Sequence, residues 1–314
     1  MKAVRCNHGS VYVADVPAPS GEGVRIKVVS AGICGSDLHL LSSGWPITCT
    51  LGHEVAGIAP NGQAVAIEPV APCGHCDFCN AGTYHLCVRG AAANVFGVGL
   101  DGGMAEYITV PERCIVPLVS NIDPKDACLV EPLAVAVHGI GMVNLAPGAR
   151  VLVIGAGSIG LAAAAVAREI TPHVHLVARH DAQKIAGERL GARLGHDDGT
   201  YDVVIDCAGT NESIAQAAQL ARPRGAMLLL ATYWSGVTMP NFDIAAKELS
   251  VHTSSMYCQN GVLREIDAAA SILARRPGII EAMISHRIPL DAAPDAFAIA
   301  ANRAAGAIKV TLNP

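Results

Sequence analysis

The sequence predicts an α/β protein with a doubly wound parallel sheet and a separate region of short strands. Three observations lead to this prediction. From residue 150 onwards, short apolar segments alternate with segments of helical character, as in consecutive βαβ units. The first apolar segment runs into a glycine-rich turn at 155–160. The first third is instead rich in Gly, Pro and Cys, and its short Val-rich segments indicate strands joined by irregular loops.

The elements can be predicted in chain order. Strands are expected at 24–29 and 64–67, before the alternating region begins. In that region, strands at 151–154, 174–177, 203–205 and 227–230 alternate with helices at 159–169, 182–190 and 213–221. The tail is predicted to be helical from about residue 263 and to end in a strand at 307–312. Strands that alternate with helices form a parallel sheet, because each helix carries the chain back to the same edge.

Composition and charge restrict the partners of the protein. Of the 314 residues, 51% are hydrophobic and only 4% are aromatic, so Ala, Val, Ile and Leu must build the cores. A net charge of −5 and scattered Lys and Arg residues argue against a nucleic-acid surface. No long apolar run suggests a secretory signal or a membrane span. We therefore expect a cytoplasmic protein that acts on a small molecule and binds neither nucleic acid nor membrane.

Four of the eleven cysteines lie close together, with the spacing C-x2-C-x2-C-x7-C. Four thiolates around one tetrahedral cation, with no open position, are typical of a structural zinc site. An iron–sulfur cluster is the alternative, because C-x2-C-x2-C also begins the bacterial ferredoxin motif. That motif continues with C-x3-C-P, which this sequence lacks. The sequence therefore favours a structural zinc ion, and its ligands are Cys73, Cys76, Cys79 and Cys87.

Three other segments contain the residue types of a second metal site. They are CGSDLH at 34–39, GHE at 52–54 and the pair Glu131-Pro132. Cys, His and carboxylate ligands with one open position are typical of catalytic zinc. A single Cys or His is more often a core residue, so the prediction depends on their joint presence ahead of the glycine-rich turn.

These motifs together resemble those of a known superfamily. CGSDLH, GHE, the four-cysteine segment, EPLAVAVH and VLVIGAGSIG stand in the order and approximate spacing of the zinc-containing medium-chain alcohol dehydrogenases/reductases. The similarity spans nearly the whole chain, down to the final GAIKVTLNP. The Glu-Pro segment is most similar to the sorbitol and polyol dehydrogenase branch.

The resemblance implies a domain arrangement and a ligand set. A β-rich catalytic domain of GroES-like topology is expected at 1–135 and 256–314, with a Rossmann dinucleotide-binding domain inserted at 136–255. The catalytic zinc is assigned to Cys34, His53 and a carboxylate, which is either Glu54 or Glu131. In sorbitol dehydrogenases the earlier Glu binds the metal and the later one holds its water, whereas in other members the later position is the ligand. A homodimer or homotetramer is also implied.

The resemblance further implies hydride transfer between a nicotinamide and an alcohol or carbonyl substrate. A zinc ion with an open position polarises a carbonyl oxygen or lowers the pKa of a bound alcohol. Ser36 and His39 stand where the superfamily has a hydroxyl and a histidine that relay the proton. Polyols, sugars, amino alcohols and secondary alcohols all fit this chemistry. Trp45 either lines the substrate cleft or packs in the core.

The glycine-rich turn has the pattern G-x-G-x-x-G, formed by Gly155, Gly157 and Gly160 with Ser158 and Ile159 between the last two. The pattern is weak alone, but here it follows an apolar strand and opens a helix. The first glycine permits the tight turn, the second admits the pyrophosphate and the third allows helix and strand to pack closely. The pyrophosphate then meets the free amides of the helix N-terminus.

The choice of dinucleotide is predicted from the end of the second strand. Rossmann domains that select NAD carry Asp or Glu there, about 20 residues past the glycines, to bind the ribose hydroxyl. Here that position falls on Ala178, and Arg179 and His180 follow. A guanidinium can pair with the 2′-phosphate of NADP, so NADP(H) is predicted over NAD(H). The alternative is that Arg179 is solvated and Asp181 binds the ribose.

Two other functions were weighed against the dehydrogenase. A zinc-free quinone or enoyl reductase has the same fold, but the complete metal-ligand set argues against it. A nucleotide-binding sensor or structural protein without catalysis is disfavoured by the same residues. The sequence therefore predicts a dehydrogenase with two zinc ions per chain, one catalytic and one structural.

Overall fold

Short strands joined by loops make up the first third of the chain. The computed structural model describes residues 1–314, apart from the side chains of residues 91 and 92. The strands of this region are β1 (Lys2–Asn7), β2 (Ser10–Asp15), β3 (Val24–Gly32), β4 (Glu54–Ile58), β5 (Ala64–Ile67), β6 (Tyr107–Val110) and β7 (Ile115–Pro117). The helices are α1 (Gly35–Ser42), α2 (Asp77–Asn80) and α3 (Ala91–Asn94).

The middle of the chain alternates between strands and helices, as predicted. It begins with α4 (Val130–Gly141) and continues with β8 (Val151–Ile154), α5 (Ser158–Ala167), β9 (Val174–Val177), α6 (Asp181–Arg189), β10 (Arg193–Leu194), β11 (Tyr201–Asp206), α7 (Asn211–Leu220), β12 (Ala221–Leu229), α8 (Asn241–Ala246) and β13 (Ser250–Thr253). The sequence did not predict α4, α8, β10 or β13.

The last part of the chain is mostly helical. Its elements are β14 (Gln259–Asn260), β15 (Leu263–Arg264), α9 (Glu265–Arg275), α10 (Gly278–Met283), β16 (Ile284–Pro289), α11 (Ala293–Ala301) and β17 (Lys309–Asn313). Among the described residues, no helix has the length and apolarity needed to cross a bilayer.

The chain divides into two compact units, and each has its own sheet. The first unit comprises Met1–Glu131, Cys258–Ile280 and Ile284–Pro314. Its main sheet has the order β16-β17-β3-β4-β5-β7, with β6 also paired to β3. All of these pairs are antiparallel except β16 with β17. The last strand of the chain therefore lies next to β3, in the centre of the sheet.

The second unit comprises Pro132–Tyr257 and Glu281–Met283 and contains a six-stranded sheet. Its order is β10-β9-β8-β11-β12-β13, and every pair is parallel. The order reverses between β8 and β11, as in a doubly wound Rossmann sheet. The eight residues of α5 from Gly160 to Ala167 are buried. Five of them are alanines, whose small side chains allow α5 to pack closely against the sheet. The predicted fold class is confirmed.

A buried ion pair links β4 to β17 across β3. Lys309 Nζ lies 2.6 Å from each carboxylate oxygen of Glu54, and the side chains are 1% and 0% exposed. Burial alone would lower the pKa of Lys309, but the adjacent Glu54 carboxylate raises it above its usual value. Gly32 pairs with Glu54 in the sheet, and a Cβ atom at Gly32 would lie 2.0 Å from Glu54 Oε2. The ion pair therefore requires glycine at this position of β3.

We predict that Lys309→Met lowers the free energy of unfolding by about 3–5 kcal/mol, because it leaves the Glu54 carboxylate buried without its cation. Denaturant titration measures this change. The double variant Lys309→Met/Glu54→Gln should recover part of the loss, since it removes the unpaired charge. Lys2→Met is the matched control, because Lys2 Nζ also lies 2.6 Å from a carboxylate but its side chain is 48% exposed. That control should lower the free energy of unfolding much less, because water already screens the exposed pair. Equal effects of Lys309→Met and Lys2→Met would contradict the prediction.

Candidate active site

The pairing of β3 with β4 brings three of the predicted metal ligands together. Cys34 follows the end of β3 and precedes the first residue of α1. His53 and Glu54 stand at the start of β4, where Glu54 is opposite Gly32 of β3. One potential ligand atom from each of Cys34, His53 and Glu54 lies within 4.8 Å of the other two. His53 and Glu54, which follow Cys34 by 19 and 20 positions in the sequence, thus form one cluster with it.

The His53 imidazole is held from both sides by residues of α1. Its Nε2 atom lies 3.4 Å from Ser36 Oγ, and its Nδ1 atom lies 3.5 Å from Asp37 Oδ1. The other carboxylate oxygen of Asp37 accepts a 2.9 Å hydrogen bond from the backbone N–H of Cys34. A carboxylate at one ring nitrogen orients an imidazole whose other nitrogen binds a metal. Asp37 lies inside the CGSDLH motif, but the sequence alone does not reveal that it contacts His53.

Burial and neighbouring charges act in opposite directions on this pair. Burial raises the pKa of Asp37, and the adjacent His53 only partly offsets that effect. Burial disfavours the charged form of His53, but Asp37 and Cys34 together raise its pKa well above the usual value. The cluster therefore attracts positive charge.

The other predicted residues lie around this cluster. His39 is exposed and lies three residues beyond Ser36, so the two residues share a face of α1. Glu131 is 8% exposed in the first turn of α4, and its charge also raises the pKa of His53. The side chain of Trp45 is 51% exposed, so it is not a core residue.

The four cysteines of the predicted structural site lie together in one loop. Their four sulfur atoms all lie within 4.8 Å of one another. Individual Sγ–Sγ distances are 3.4 Å for Cys76–Cys79, 3.8 Å for Cys73–Cys79 and 4.0 Å for Cys76–Cys87. Thiolates about 2.3 Å from a tetrahedral zinc ion are spaced by about 3.8 Å. The donor set therefore fits zinc without rearrangement.

The thiols of this loop differ in acidity. Hydrogen bonds from the backbone N–H groups of Val88 and Cys79 lower the pKa of Cys76 to about 6. Burial and the nearby thiols raise the pKa of Cys79 to about 12. Four thiolates at this spacing repel one another unless a cation lies between them.

The glycine-rich turn connects β8 to α5 at the carboxyl edge of the parallel sheet. Gly155 has φ +95°, and a Cβ atom there would lie 2.9 Å from the Ala208 nitrogen. A Cβ atom at Gly160 would lie 1.8 Å from the Gly155 oxygen, so the helix packs too closely for any side chain. A Cβ atom at Gly157 would meet nothing within 4 Å. The space beside Gly157 is therefore open, as a bound pyrophosphate requires.

Arg179 and His180 stand between β9 and α6, as the sequence predicts. Arg179 is exposed, and His180 precedes the first residue of α6. Asp181, the alternative ribose ligand, has a 90% exposed side chain that accepts a 2.9 Å hydrogen bond from Lys184. Ser158 and Ile159 form the first turn of α5.

Comparison with known proteins agrees with this geometry. Residues 20–120 match the family model "Alcohol dehydrogenase GroES-like domain". Residues 158–271 match the model "Zinc-binding dehydrogenase". The chain is 30% identical to L-galactonate-5-dehydrogenase of Escherichia coli over 88% of this chain and 87% of that protein. It is 29% identical to sorbitol dehydrogenase of Halalkalibacterium halodurans over 100% and 99% of the two chains.

Solved structures extend the comparison to the fold. A structure from Sinorhizobium meliloti, described as a zinc-binding dehydrogenase bound to NADP, superposes with a TM-score of 0.86 at 32% identity, covering 100% and 99% of the two chains. L-Idonate 5-dehydrogenase of Escherichia coli superposes with a TM-score of 0.89 at 26% identity, covering 100% and 97%. The chain therefore belongs to the zinc-binding alcohol dehydrogenase family and is an oxidoreductase of the alcohol and polyol dehydrogenase type.

Proposed function

We propose that this protein transfers a hydride between NADP(H) and a secondary alcohol or polyol, or the corresponding ketone or aldehyde. The observation that carries the proposal is the cluster of Cys34, His53 and Glu54, which supplies the donor types of a catalytic zinc site. The open space beside Gly157 in the glycine turn supports the proposal that the protein binds a dinucleotide. Polyol substrates are favoured because the relatives include enzymes named for sorbitol, L-galactonate and D-xylulose.

The proposed catalytic zinc is held by Cys34, His53 and one carboxylate. When bound, such an ion polarises the oxygen of the substrate and so favours hydride transfer to or from its carbon. Asp37 lies beside Nδ1 of His53, so Nε2 is the ring nitrogen proposed to bind the metal. Both oxygens of Glu54 already contact Lys309, so they are less available to a metal ion. Glu131 is retained as the alternative ligand, because it is buried and its charge raises the pKa of His53.

The proton of the substrate hydroxyl leaves through Ser36 and His39 in this proposal. Ser36 lies beside His53, and its Oγ atom can accept a proton and donate its own. His39 is exposed on the same face of α1, so its imidazole can release the proton to solvent. The relay thus leads from the buried cluster to the surface in one helical turn.

The four-cysteine loop is proposed to hold a second, structural zinc ion. All four donors are thiols that lie within 4.8 Å of one another. Four thiolates would complete the coordination of a tetrahedral zinc ion and leave no position for a substrate. We further propose a cytoplasmic enzyme, because none of the eleven cysteines forms a disulfide. We also propose a homodimer or homotetramer, as the family resemblance implies.

Cys34→Ala and His53→Ala are expected to reduce turnover below detection while leaving dinucleotide affinity unchanged. Each removes a proposed ligand of the catalytic zinc, whereas the glycine turn belongs to the other unit. Steady-state kinetics and isothermal titration with NADPH measure the two quantities. Cys6→Ala is the matched control, since Cys6 lies outside the cluster and should retain full activity. Near-normal kcat in either ligand variant would refute the catalytic-zinc assignment.

Metal analysis should find two zinc ions per chain that differ in lability. A chelator is expected to remove the catalytic ion first and abolish activity with the fold intact, because an open site releases its metal more easily. Cys76→Ala should instead lower the Tm, because the structural ion contributes directly to folding. Mass spectrometry and circular dichroism follow metal content and unfolding. A single metal per chain, or iron in place of zinc, would overturn this prediction.

The cofactor preference depends on Arg179, which follows Ala178 where NAD-selective domains carry a carboxylate. We expect a higher kcat/KM with NADP than with NAD. Arg179→Ala should lower the affinity for NADP by about tenfold, because one charge-assisted hydrogen-bond contact is lost. Affinity for NAD should change little. Arg224→Ala is the control, since Arg224 is an exposed arginine at the amino-terminal part of β12. Equal losses for both cofactors would show that Arg179 does not contact the 2′-phosphate.

A further inference from the structure

Asp206 is a fully buried carboxylate at the carboxyl end of β11 that the proposed reaction does not use. It is 0% exposed, and its four side-chain hydrogen bonds come from neutral donors. Oδ1 accepts from the backbone N–H groups of Ala208 at 2.9 Å and Gly209 at 3.2 Å. Oδ2 accepts from Ser213 Oγ at 3.0 Å and from the Tyr233 hydroxyl at 2.7 Å. A buried charge satisfied only by neutral donors organises the segments that carry those donors.

The first of these segments is the turn at 207–209, which packs against the glycine turn. A Cβ atom at Gly155 would lie 2.9 Å from the Ala208 nitrogen, and a Cβ atom at Gly160 would lie 3.4 Å from Cys207 Cβ. Asp206 fixes this turn through the N–H groups of Ala208 and Gly209. The position of the glycine turn therefore depends on Asp206 through direct packing.

The second segment is the loop at 231–236, which follows β12. The backbone oxygen of Asp206 accepts hydrogen bonds from Leu230 and Ala231, at 2.9 and 3.0 Å, and its side chain holds Tyr233. A Cβ atom at Gly209 would lie 3.0 Å from Ala231 Cβ, so the turn and the loop also touch each other. Burial and the Asp206 hydrogen bond raise the pKa of Tyr233, so its hydroxyl remains a donor at neutral pH.

The sheet topology shows which part of a dinucleotide this loop faces. Dinucleotides bind across the carboxyl edge of a doubly wound sheet, with the pyrophosphate at the first glycine turn and one nucleotide over each half. Arg179 follows β9 and marks the adenosine half. The turn after β11 and the loop after β12 lie at the carboxyl edge of the other half. The nicotinamide half therefore lies over the segments that Asp206 holds.

We propose that Asp206 is a positioning residue for the nicotinamide half of the cofactor and that its bond to Tyr233 sets the 231–236 loop before the cofactor binds. The inference rests on the proposed dinucleotide site. A loop fixed in advance lowers the entropy cost of binding, so loss of the bond weakens affinity without removing any direct contact. The phenyl ring of Tyr233 packs against the hydrophobic core of the second unit, so Tyr233→Phe removes the hydrogen bond and retains that packing.

The test compares NADPH with 2′-phospho-ADP-ribose, which lacks the nicotinamide ring. Isothermal titration should show NADPH bound about tenfold more weakly by Tyr233→Phe than by the wild type, the loss expected for one hydrogen bond to a charged group. The affinity for 2′-phospho-ADP-ribose should stay unchanged. Tyr12→Phe, at a 45% exposed tyrosine of the first unit, is the matched control and should alter neither affinity. Asp206→Ala is unsuitable alone, because it removes the acceptor of four hydrogen bonds and destabilises the unit.

A second measurement follows the loop without any cofactor. The chain has two tryptophans, Trp45 and Trp234, so Trp45→Phe leaves Trp234 beside Tyr233 as the single reporter. In this background, Tyr233→Phe should lower the fluorescence anisotropy of Trp234, because the loop is released.

The outcomes separate this inference from the proposed function. Equal weakening of NADPH and the fragment, or no change in either, would overturn the role of Asp206 while leaving the dehydrogenase intact. Unchanged anisotropy of Trp234 would also overturn it. If the wild type prefers NADH, the same comparison is made with NADH and ADP-ribose in place of NADPH and 2′-phospho-ADP-ribose. A wild-type protein that binds neither dinucleotide would overturn both the inference and the proposed function.

Discussion

The ion pair between Glu54 and Lys309 is the interaction on which the arrangement of the proposed metal ligands depends. Its two side chains are almost completely shielded from water, so removal of either partner would leave the other buried without a partner of opposite charge. Their residues are separated by 255 positions in the sequence, and β3 lies between their strands. The final strand must therefore occupy its place beside β3 for Glu54 to be stable beside His53. The proposed catalytic cluster is therefore held by a contact that takes no part in the proposed reaction.

Asp206 illustrates a different way to stabilise a buried carboxylate. Glu54 is neutralised by one ammonium group, whereas Asp206 is satisfied by two backbone amides and two hydroxyl groups. An ion pair joins two strands at one point, but four neutral donors can come from three separate segments. The second solution suits the carboxyl edge of a parallel sheet, where several loops must be held in one arrangement around a ligand.

The strands that the sequence predicted accurately are those whose residues are buried on both faces. The predicted bounds of β5, β8 and β9 match the structure. The segments of β5 and β8 are wholly apolar and are bounded by polar residues or glycine. By contrast, β10 has two exposed residues, and β16 contains serine, histidine and arginine. Such strands have no apolar pattern to reveal them, because they lie at the edges of their sheets. Their presence is decided by tertiary pairing, which a single sequence does not display.

The residues of the candidate sites also differ in whether the sequence alone could predict them. The four-cysteine loop was predictable from its spacing, and the glycine turn was predictable from its spacing together with the strand before it and the helix after it. Asp37, Gly32 and Asp206 were missed, since their roles depend on strand register and on loops that meet only in the fold.

Lys309 is an intermediate case. A lysine within the apolar segment AIKVTL is expected to be buried. It then needs a carboxylate partner, because an unpaired ammonium group is too costly to bury. The sequence therefore contained the signal that a carboxylate must face Lys309. Only the register of β17, β3 and β4 identifies that carboxylate as Glu54.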